Sequence, residues 1–304
     1  MPPAVHIVVV NWRKRGPTMD CLGALGRLNY PSWSLVLLDN GCRDFSQAEV
    51  DRLTPGGQYL YSDTNRGFAG GANLGMRAAR AAGAEWVWFL NNDALPEAGA
   101  LTALIEVATG TPPADVVGAK ILQRQAPDRL DSVGIEIDLD SGRMRLIGHD
   151  EVDRGQYDRL SDPVAVSGCA LLVRAAAFEA LGGFDEAYFS YLEDVDLCLR
   201  ARETGRRVAF APRARVLHDR PPARRGRQSP ASLYYTTRNH LRLLQLHSPG
   251  ALWQRKLQEA RVAAWSAAYA LTAGGESRLA NLRASRRGVA DFRRNVVGSD
   301  PAAR

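Results

Sequence analysis

The chain has 304 residues, 45% hydrophobic and 24% charged, a composition that fits a soluble globular protein and excludes a disordered or fibrous one. Its four cysteines are scattered without metal-like pairing, which excludes a disulfide scaffold and favours reduced thiols in the cytoplasm. The start lacks a signal-peptide pattern, and the longest uncharged stretch, 262–275, is shorter than the roughly 20 residues of a membrane span.

The net charge of +6 is distributed unevenly along the chain. From residue 220 to the end there are 16 Lys/Arg and 4 Asp/Glu, a net of +12, so the preceding residues carry −6. Residues 220–230 are rich in Arg, Pro and Gly, and three helical stretches follow them. We therefore predict an acidic body over residues 1–219 and a basic linker with a helical C-terminal region over residues 220–304.

Short apolar runs alternate with helical patterns through the first part of the chain. The predicted strands are 5–10, 33–38, 58–61, 86–90 and 116–121. The predicted helices are 17–28, 45–53, a helix ending near 82, and 97–108. This alternation predicts βαβ units, and hence an α/β fold with a mostly parallel central sheet flanked by helices.

Polar residues end three of these strands. Asn11 follows the first strand, Asp39 the second, and Asn91, Asn92 and Asp93 follow the buried run 86–90. Because parallel strands share their carboxyl edge, we expect these residues to form one site. Hard oxygen ligands there suit Mg²⁺ or Mn²⁺ carrying a diphosphate, whereas the structural alternative is a set of strand-ending Asx turns.

The segment 65–73 is glycine-rich and lies between a strand and a helix. Its backbone amides could hold a phosphate at the helix N-terminus with help from Arg66, although its spacing is not that of a P-loop. Asp39 could accept from the N3–H of a uracil or thymine ring flanked by Asn11 and Trp12. In both places a plain turn is the alternative.

The later part of the chain adds an antiparallel hairpin over 132–147, a strand over 164–173 interrupted at Gly168, and short strands at 208–211 and 215–217. A carboxylate of the Glu193-Asp194 pair, beside aromatic residues, could be a general base for a hydroxyl, or the pair could simply favour a helix N-terminus. His218 ends a strand and could complete a metal site with Asp93 or serve as a structural hydrogen-bonding residue.

Five elements occur in a characteristic order. They are Val-Val-Val-Asn-Trp (8–12), Leu-Leu-Asp-Asn-Gly (37–41), Asn-Arg-Gly-Phe-Ala-Gly-Gly-Ala-Asn (65–73), Phe-Leu-Asn-Asn-Asp (89–93), and Gly-Gly-Phe-Asp-Glu with Tyr-Leu-Glu-Asp-Val-Asp-Leu-Cys-Leu-Arg (182–200). With Tyr-Tyr-Thr-Thr-Arg-Asn (234–239), the ordered set resembles the rhamnosyltransferase-like branch of the family 2 glycosyltransferases over residues 5–239. The resemblance implies a GT-A fold, with residues 1–219 as the catalytic domain, a nucleoside-diphosphate sugar donor, Mg²⁺ or Mn²⁺, and inversion at the anomeric carbon.

The resemblance also implies roles for individual residues. Asp194 would be the catalytic base, and Asp93 and His218 would hold the metal. The donor-binding residues would be Asn11, Trp12, Asp39, Asn65, Arg66, Gly70, Gly71, Asn73, Asn91 and Asn92. The acceptor-binding residues would be Glu193, Tyr191, Ser167 and Gly168. The chain departs from the family at Asn91, where an Asp-x-Asp metal motif has its first carboxylate.

The basic C-terminal helices carry Trp253, Trp265 and Tyr269 among arginines, which favours either a peripheral contact with the inner face of the membrane or a lid or homodimer contact. The acceptor is expected to be a glycan, a lipid-linked sugar or a small molecule, with polysaccharide, cell-wall or secondary-metabolite synthesis all open. A catalytically inactive nucleotide-sugar-binding protein is the alternative function. Nucleic-acid binding is not expected, because the helical aromatics do not form a stacking platform.

Overall fold

The protein is described by a computed structural model over residues 2–219, 229–272 and 278–301. The strands are β1 (Val5–Asn11), β2 (Trp33–Asn40), β3 (Gln58–Ser62), β4 (Trp86–Asn91), β5 (Ala94–Pro96), β6 (Val116–Gln123), β7 (Ala126–Ser132), β8 (Ile135–Asp138), β9 (Arg143–Leu146), β10 (Ala170–Arg174) and β11 (Val208–His218). A large central sheet has the order β3-β2-β1-β4-β10-β6-β11-β5, with β7 beside β6. The predicted α/β class is confirmed.

The helices lie on both faces of this sheet and at the C-terminal end of the chain. They are α1 (Arg15–Leu25), α2 (Gln47–Leu53), α3 (Gly67–Ala81), α4 (Ala100–Ala108), α5 (Ala175–Ala180), α6 (Glu193–Glu203), α7 (Pro230–His247), α8 (Leu252–Thr272) and α9 (Arg278–Arg293). Two apolar cores, one on each face, enclose the central strands, which explains why β4 reads as a continuous apolar run.

The first half of the sheet is parallel. Strands β3, β2, β1 and β4 run in one direction, and the pairing aligns Asn11 with Asp39 and Val10 with Asn91. The polar ends of three strands therefore lie side by side at the carboxyl edge, as the sequence predicts. This edge is where open α/β sheets bind ligands.

The second half of the sheet is mixed, which the sequence did not predict. Strand β10 lies antiparallel between β4 and β6, and it starts only at Ala170, so most of the strand predicted over 164–173 is irregular. The two short strands predicted at 208–211 and 215–217 are one strand, β11, whose register shifts between Ala211 and Arg215. The predicted hairpin forms as β8 and β9 in a separate two-stranded sheet.

Helix α3 begins at Gly67, within the segment predicted to be a phosphate-binding loop. A Cβ at Gly71 would lie 2.9 Å from Val10 Cγ1 and 3.1 Å from Leu38 Cδ2, so this glycine lets the helix pack closely on β1 and β2. Gly71 is thus explained by helix–sheet packing, which helix propensity alone does not predict.

The C-terminal helices pack on the central domain as well as on one another. Arg242 of α7 pairs with Asp185 at 2.8 Å, and His247 pairs with buried Asp196 at 2.9 Å. Gln258 of α8 donates to the carbonyl oxygen of Leu139 at 2.7 Å. The three predicted helices are present, whereas most of the linker predicted over 220–230 lies outside the described residues. The domain boundary after residue 219 stays a prediction.

Candidate active site

Asn11 joins the ends of three parallel strands into one hydrogen-bond network. Its Nδ2 lies 2.6 Å from Asp39 Oδ1 and 3.0 Å from Asp44 Oδ2. The side chain of Asn92 donates to Asn11 Oδ1 at 3.3 Å and to Thr18 Oγ1 at 3.0 Å. The sequence-based prediction included neither Asp44 nor Thr18, because both lie in turns and helix starts with no motif of their own.

The carboxylate of Asp39 is fully buried beneath the edge of the sheet. Its Oδ2 accepts from the backbone N–H of Phe45 at 2.9 Å and from the Tyr59 hydroxyl at 3.0 Å. Burial, together with the Asp39 charge, raises the pKa of Tyr59, so this hydroxyl keeps its proton. Both carboxylate oxygens of Asp39 thus accept hydrogen bonds from protein groups. The nucleobase of a donor could bond to Asp39 only by replacing one of these groups.

Asp39, Cys42 and Asp44 place three ligand atoms within 4.8 Å of one another, which is a geometric candidate for a metal site. The Asn11 amide nitrogen contacts all three, at 2.6, 3.5 and 3.0 Å respectively. A cation would have to displace this amide, and Mg²⁺ and Mn²⁺ prefer oxygen ligands to thiols. We interpret these three side chains as acceptors that orient Asn11.

Trp12 follows Asn11 at the rim of the site, with 49% of its surface exposed. The guanidinium of Arg13 lies 5.8 Å from the centroid of its indole ring. A half-exposed aromatic ring at the carboxyl edge of the sheet has a free face on which a planar base can stack.

The turn that carries Asn65 and Arg66 is held by Asn40, a buried residue missed by the sequence-based prediction. Asn40 Oδ1 accepts from the backbone N–H of Arg66 at 2.9 Å, and Asn40 Nδ2 donates to Asn65 Oδ1 at 3.1 Å. Arg66 Nε donates to Ser62 Oγ at 3.0 Å. The sequence Asp39-Asn40-Gly41 predicted only a local turn, whereas Asn40 links two segments 25 residues apart.

Gly70, Gly71 and Asn73, which were expected at the donor, lie inside α3. Asn73 exchanges hydrogen bonds with the backbone of Phe184, donating at 2.9 Å and accepting at 3.0 Å, and it also donates to Glu186. Asn73 therefore ties α3 to residues 184–186, and Gly71 lets the helix pack on the sheet. A role for these three residues in donor binding stays a prediction.

Asp93 and His218 lie together, as expected of a shared site. Asp93 Oδ1 is 3.4 Å from His218 Nε2, and Asp93 Oδ2 is 2.8 Å from the Lys14 ammonium. Burial alone would raise the pKa of Asp93, but His218 and Lys14 outweigh it and hold the pKa well below its ordinary value. Lys14, which the sequence-based prediction missed, places a positive charge where a cation would be held.

A second layer of polar side chains lies behind His218. The Asp131 carboxylate is 2.9 Å from His218 Nδ1 and 3.5 Å from His149 Nδ1. An Nδ1–H donated to Asp131 directs His218 Nε2 toward Asp93, an arrangement typical of metal-binding histidines. Burial would lower the pKa of His218, but Cys169, Asp131 and Asp93 raise it well above its ordinary value.

Residues 167–169 connect the strand ends with the start of α6. The Cys169 carbonyl oxygen accepts from the backbone N–H of Asn91 at 2.9 Å, and the Gly168 N–H donates to Asp194 Oδ2 at 2.6 Å. A Cβ at Gly168 would lie 3.2 Å from Asp194 Oδ2, which explains the close approach predicted at this glycine. Ser167 Oγ accepts from the Cys169 N–H at 3.2 Å. Gly168 and Cys169 thus connect the start of α6 with the end of β4.

The two carboxyl groups at the start of α6 have contrasting environments. Asp194 stays partly accessible, and its carboxylate accepts from the N–H groups of Gly168 at 2.6 Å and Val195 at 2.8 Å. Glu193 is buried, and its Oε2 has no hydrogen-bond partner among the described residues. Burial and the Asp194 charge raise the pKa of Glu193 well above its ordinary value. Burial also raises the pKa of Asp194, although its N–H donors oppose the rise.

The fold matches those of solved glycosyltransferases. A mannosyltransferase from Pyrobaculum calidifontis, PcManGT, in complex with GDP-Man and Mn²⁺, superposes with a TM-score of 0.58 and 17% identity over 100% of this chain and 78% of that chain. Residues 1–349 of TarS from S. aureus give a TM-score of 0.57 and 16% identity over 96% of this chain and 81% of that one. The expected GT-A fold is therefore confirmed.

The chain belongs to glycosyltransferase family 2. The family model described as "Glycosyltransferase like family 2" matches residues 2–243. An N-acetylglucosaminyl-diphospho-decaprenol L-rhamnosyltransferase of Mycobacterium tuberculosis is 33% identical over 238 residues, 72% of this chain and 76% of the relative. The hexosyltransferase Agl10 of Haloferax volcanii, for low-salt glycan biosynthesis, is 25% identical over 60% of this chain and 58% of its own. The chain is accordingly a glycosyltransferase.

Proposed function

We propose that the protein transfers a hexose from a nucleoside-diphosphate sugar to an acceptor hydroxyl with inversion, using Asp194 as the base. The observation that carries this proposal is the Glu193–Asp194 pair. Two N–H donors stabilise the carboxylate form of Asp194, whereas burial and the Asp194 charge raise the pKa of the neighbouring Glu193 well above its ordinary value. Environments that separate two neighbouring carboxyl groups in this way are typical of acid–base sites.

The donor would bind along the carboxyl edge of the parallel strands. Trp12 offers an exposed ring face to the base, and the buried network of Asn11, Asp39 and Asp44 lies behind it. Arg66, in the turn held by Asn40, is the cation that we propose for the diphosphate. Asp39 would contribute to this pocket either by bonding to the nucleobase or by orienting Asn11.

Asp93 and His218 fit a divalent cation of the Mg²⁺ or Mn²⁺ type. Their ligand atoms are 3.4 Å apart, Asp131 orients the imidazole, and the Lys14 ammonium already occupies a cation position on Asp93. A cation bound there would neutralise the charge that builds on the departing diphosphate. With Asn91 in place of a second carboxylate, the diphosphate oxygens and water would have to supply the remaining ligands.

The chain's own residues would perform the remaining steps. Asp194 takes the proton of the acceptor hydroxyl as its oxygen attacks the anomeric carbon from the face opposite the diphosphate, which gives inversion. Glu193 and the exposed Tyr191, whose hydroxyl lies 2.7 Å from Ser232 Oγ, would orient the acceptor.

The mycobacterial rhamnosyltransferase suggests rhamnose as the sugar and a lipid-linked N-acetylglucosaminyl diphosphate as the acceptor. Because the similarity to this relative covers 72% of the chain, we propose both the donor sugar and the acceptor from its name. A polysaccharide or small-molecule hydroxyl is the other acceptor class consistent with this site.

The proposal is tested by measuring binding and hydrolysis of a panel of UDP-, dTDP- and GDP-sugars with Mn²⁺, Mg²⁺ or EDTA. We expect one nucleotide sugar to bind and turn over, with EDTA lowering its affinity at least about tenfold because the diphosphate loses its counter-charge. A folded protein that binds none of them under any condition would contradict the proposal and favour an inactive family member.

We also propose that the outward face of α8 contacts an anionic membrane surface. Trp253 and Trp265 are 68% and 43% exposed beside the exposed Arg261, and the only acidic residue of α8, Glu259, is buried. Apolar and cationic side chains without exposed acids are the composition of an interfacial helix. None of the helices in the described ranges is long and apolar enough to span a bilayer.

We expect the full chain to cosediment with vesicles of mixed phosphatidylglycerol and phosphatidylcholine, and not with phosphatidylcholine alone. The double variant Trp253→Ser/Trp265→Ser should lose this binding at least about tenfold, because it removes both exposed indoles that would insert into the membrane surface. Leu246→Ser, an exposed apolar residue at the end of α7, is the matched control. The proposal would be contradicted if the double variant still bound the vesicles. It would also be contradicted if the wild-type chain formed a dimer that the double variant dissociated.

A further inference from the structure

The backbone just before Asp194 has a conformation that ordinary side chains avoid. Phe189, Tyr191 and Leu192 have φ angles of 65°, 72° and 71°, three positive values within four residues, and none of them is a glycine. Residues other than glycine adopt such angles only at a cost in free energy. This segment, residues 189–192, therefore keeps its shape only because neighbouring residues hold it.

Asn239 of α7 holds this segment from one side. Its Nδ2 lies 3.0 Å from the carbonyl oxygen of Tyr188 and 2.8 Å from those of Ser190 and Tyr191. Asn239 is fully buried, so water does not compete for these bonds. The two hydrogens of this amide group are thus shared among three carbonyl oxygens within residues 188–191.

Arg238 fixes the orientation of that amide. Its Nε donates to Asn239 Oδ1 at 3.0 Å, which turns the Asn239 nitrogen toward segment 189–192. The same guanidinium donates to the carbonyl oxygens of Tyr188 at 3.0 Å and Gly298 at 2.7 Å. Arg238 is 2% exposed, and its guanidinium carbon lies 5.2 Å from the centroid of the Tyr235 ring.

The start of α3 holds the segment from the other side. The Ala69 N–H donates to the carbonyl oxygen of Phe189 at 3.2 Å. Gly67 has a φ of 70°, and a Cβ there would overlap the backbone and ring of Phe189. Segment 189–192 is therefore enclosed between α3, which follows the Arg66 turn, and α7.

We propose that Arg238 and Asn239 are positioning residues for catalysis. By holding segment 189–192 in its strained form, they set the first turn of α6 so that Asp194 meets the Gly168 N–H and faces the acceptor. This inference rests on the proposed role of Asp194 as the base. It assigns a role to the Tyr-Tyr-Thr-Thr-Arg-Asn element (234–239), which lies outside the strand-end site.

The test compares Asn239→Ala and the isosteric Asn239→Asp with Thr237→Val in the full chain. Thr237 is buried on the same helix, and its hydroxyl has no hydrogen-bond partner among the described residues, so it is a matched control. Hydrogen exchange of amides 188–194 and turnover of the nucleotide sugar chosen by the panel are measured, together with the Kd of its nucleoside diphosphate.

In both Asn239 variants we expect exchange of these amides to quicken at least about tenfold and turnover to fall about 100-fold, since a small misplacement of a catalytic group is enough for such a loss. The nucleoside-diphosphate Kd should stay within about twofold, and Thr237→Val should match the wild type. Adding Tyr191→Gly to Asn239→Ala should slow the exchange again, because glycine adopts a positive φ without strain.

Wild-type exchange in a folded Asn239 variant would overturn the proposal. Faster exchange with unchanged turnover would also overturn it, because the pair would then be structural only. If Asn239→Ala does not fold, Asn239→Asp keeps the side-chain volume and decides the question. A wild-type protein that turns over no nucleotide sugar would contradict the proposed function. In that case the hydrogen-exchange measurement and the Tyr191→Gly variant would still show whether Asn239 holds the strained segment.

Discussion

Replacing Asp194 with asparagine is expected to reduce turnover of the nucleotide sugar by about 10²–10⁴-fold, the usual contribution of a positioned general base. The fold should survive, because asparagine keeps an oxygen that can accept from the Gly168 N–H. The affinity for the nucleoside diphosphate should not change, since the proposed role of Asp194 concerns the acceptor hydroxyl. The measurement is steady-state turnover with a parallel binding titration.

The same experiment has a pH signature. Asp194 acts as a base only when deprotonated, and burial raises its pKa above the ordinary 3.8, so wild-type turnover should be lost as the pH falls through that raised value. Glu203→Gln, at the exposed end of α6, is the matched control and should keep both rate and profile. Full turnover by a folded Asp194→Asn variant would show that another group is the base.

Replacing Asp93 with asparagine is expected to remove the response to metal. We expect turnover to fall about 100-fold in saturating Mn²⁺, and EDTA to have no further effect, because the one carboxylate at the cation position is gone. The substitution also removes the ion pair with Lys14, whose ammonium lies 2.8 Å from Asp93 Oδ2 in the wild type. The measurement is turnover against Mn²⁺ concentration for both proteins.

Glu97→Gln provides the control for this variant. Glu97 is an exposed carboxylate that pairs with Arg215 at 3.0 Å, so its loss changes the net charge equally without touching the strand-end site. An Asp93→Asn protein that still needs Mn²⁺ as the wild type does would place the metal elsewhere.

The sequence was sufficient to predict the carboxyl edge of the sheet, for a physical reason. Apolar runs that stop at Asn11, Asp39 and Asn91 indicate buried parallel strands, and parallel strands must bring their carboxyl ends together. The observed register, which pairs Asn11 with Asp39, agrees with this expectation. The proximity of Asp93 and His218 was one of two interpretations of the residues, and the family resemblance also implied it.

Other features depend on contacts between distant residues, which local patterns do not show. Gly71 allows α3 to approach Val10 and Leu38, so a stretch rich in glycine becomes helix where propensity alone predicts a loop. Asp131 lies 87 residues from the histidine that it orients, at the end of a strand with no clear alternation. Asn239 likewise belongs to an element that the sequence singled out, but its three carbonyl partners lie about 50 residues away and no local pattern predicts them.

The most direct test of the account is the position of Mn²⁺ in a crystal of the full chain grown with the nucleoside diphosphate that binds best. Anomalous scattering locates the ion without reference to activity. The account predicts one peak bonded to the Asp93 carboxylate and His218 Nε2, with diphosphate oxygens as further ligands. A peak among Asp39, Cys42 and Asp44 instead, or a bound nucleotide with no ion near Asp93, would contradict it.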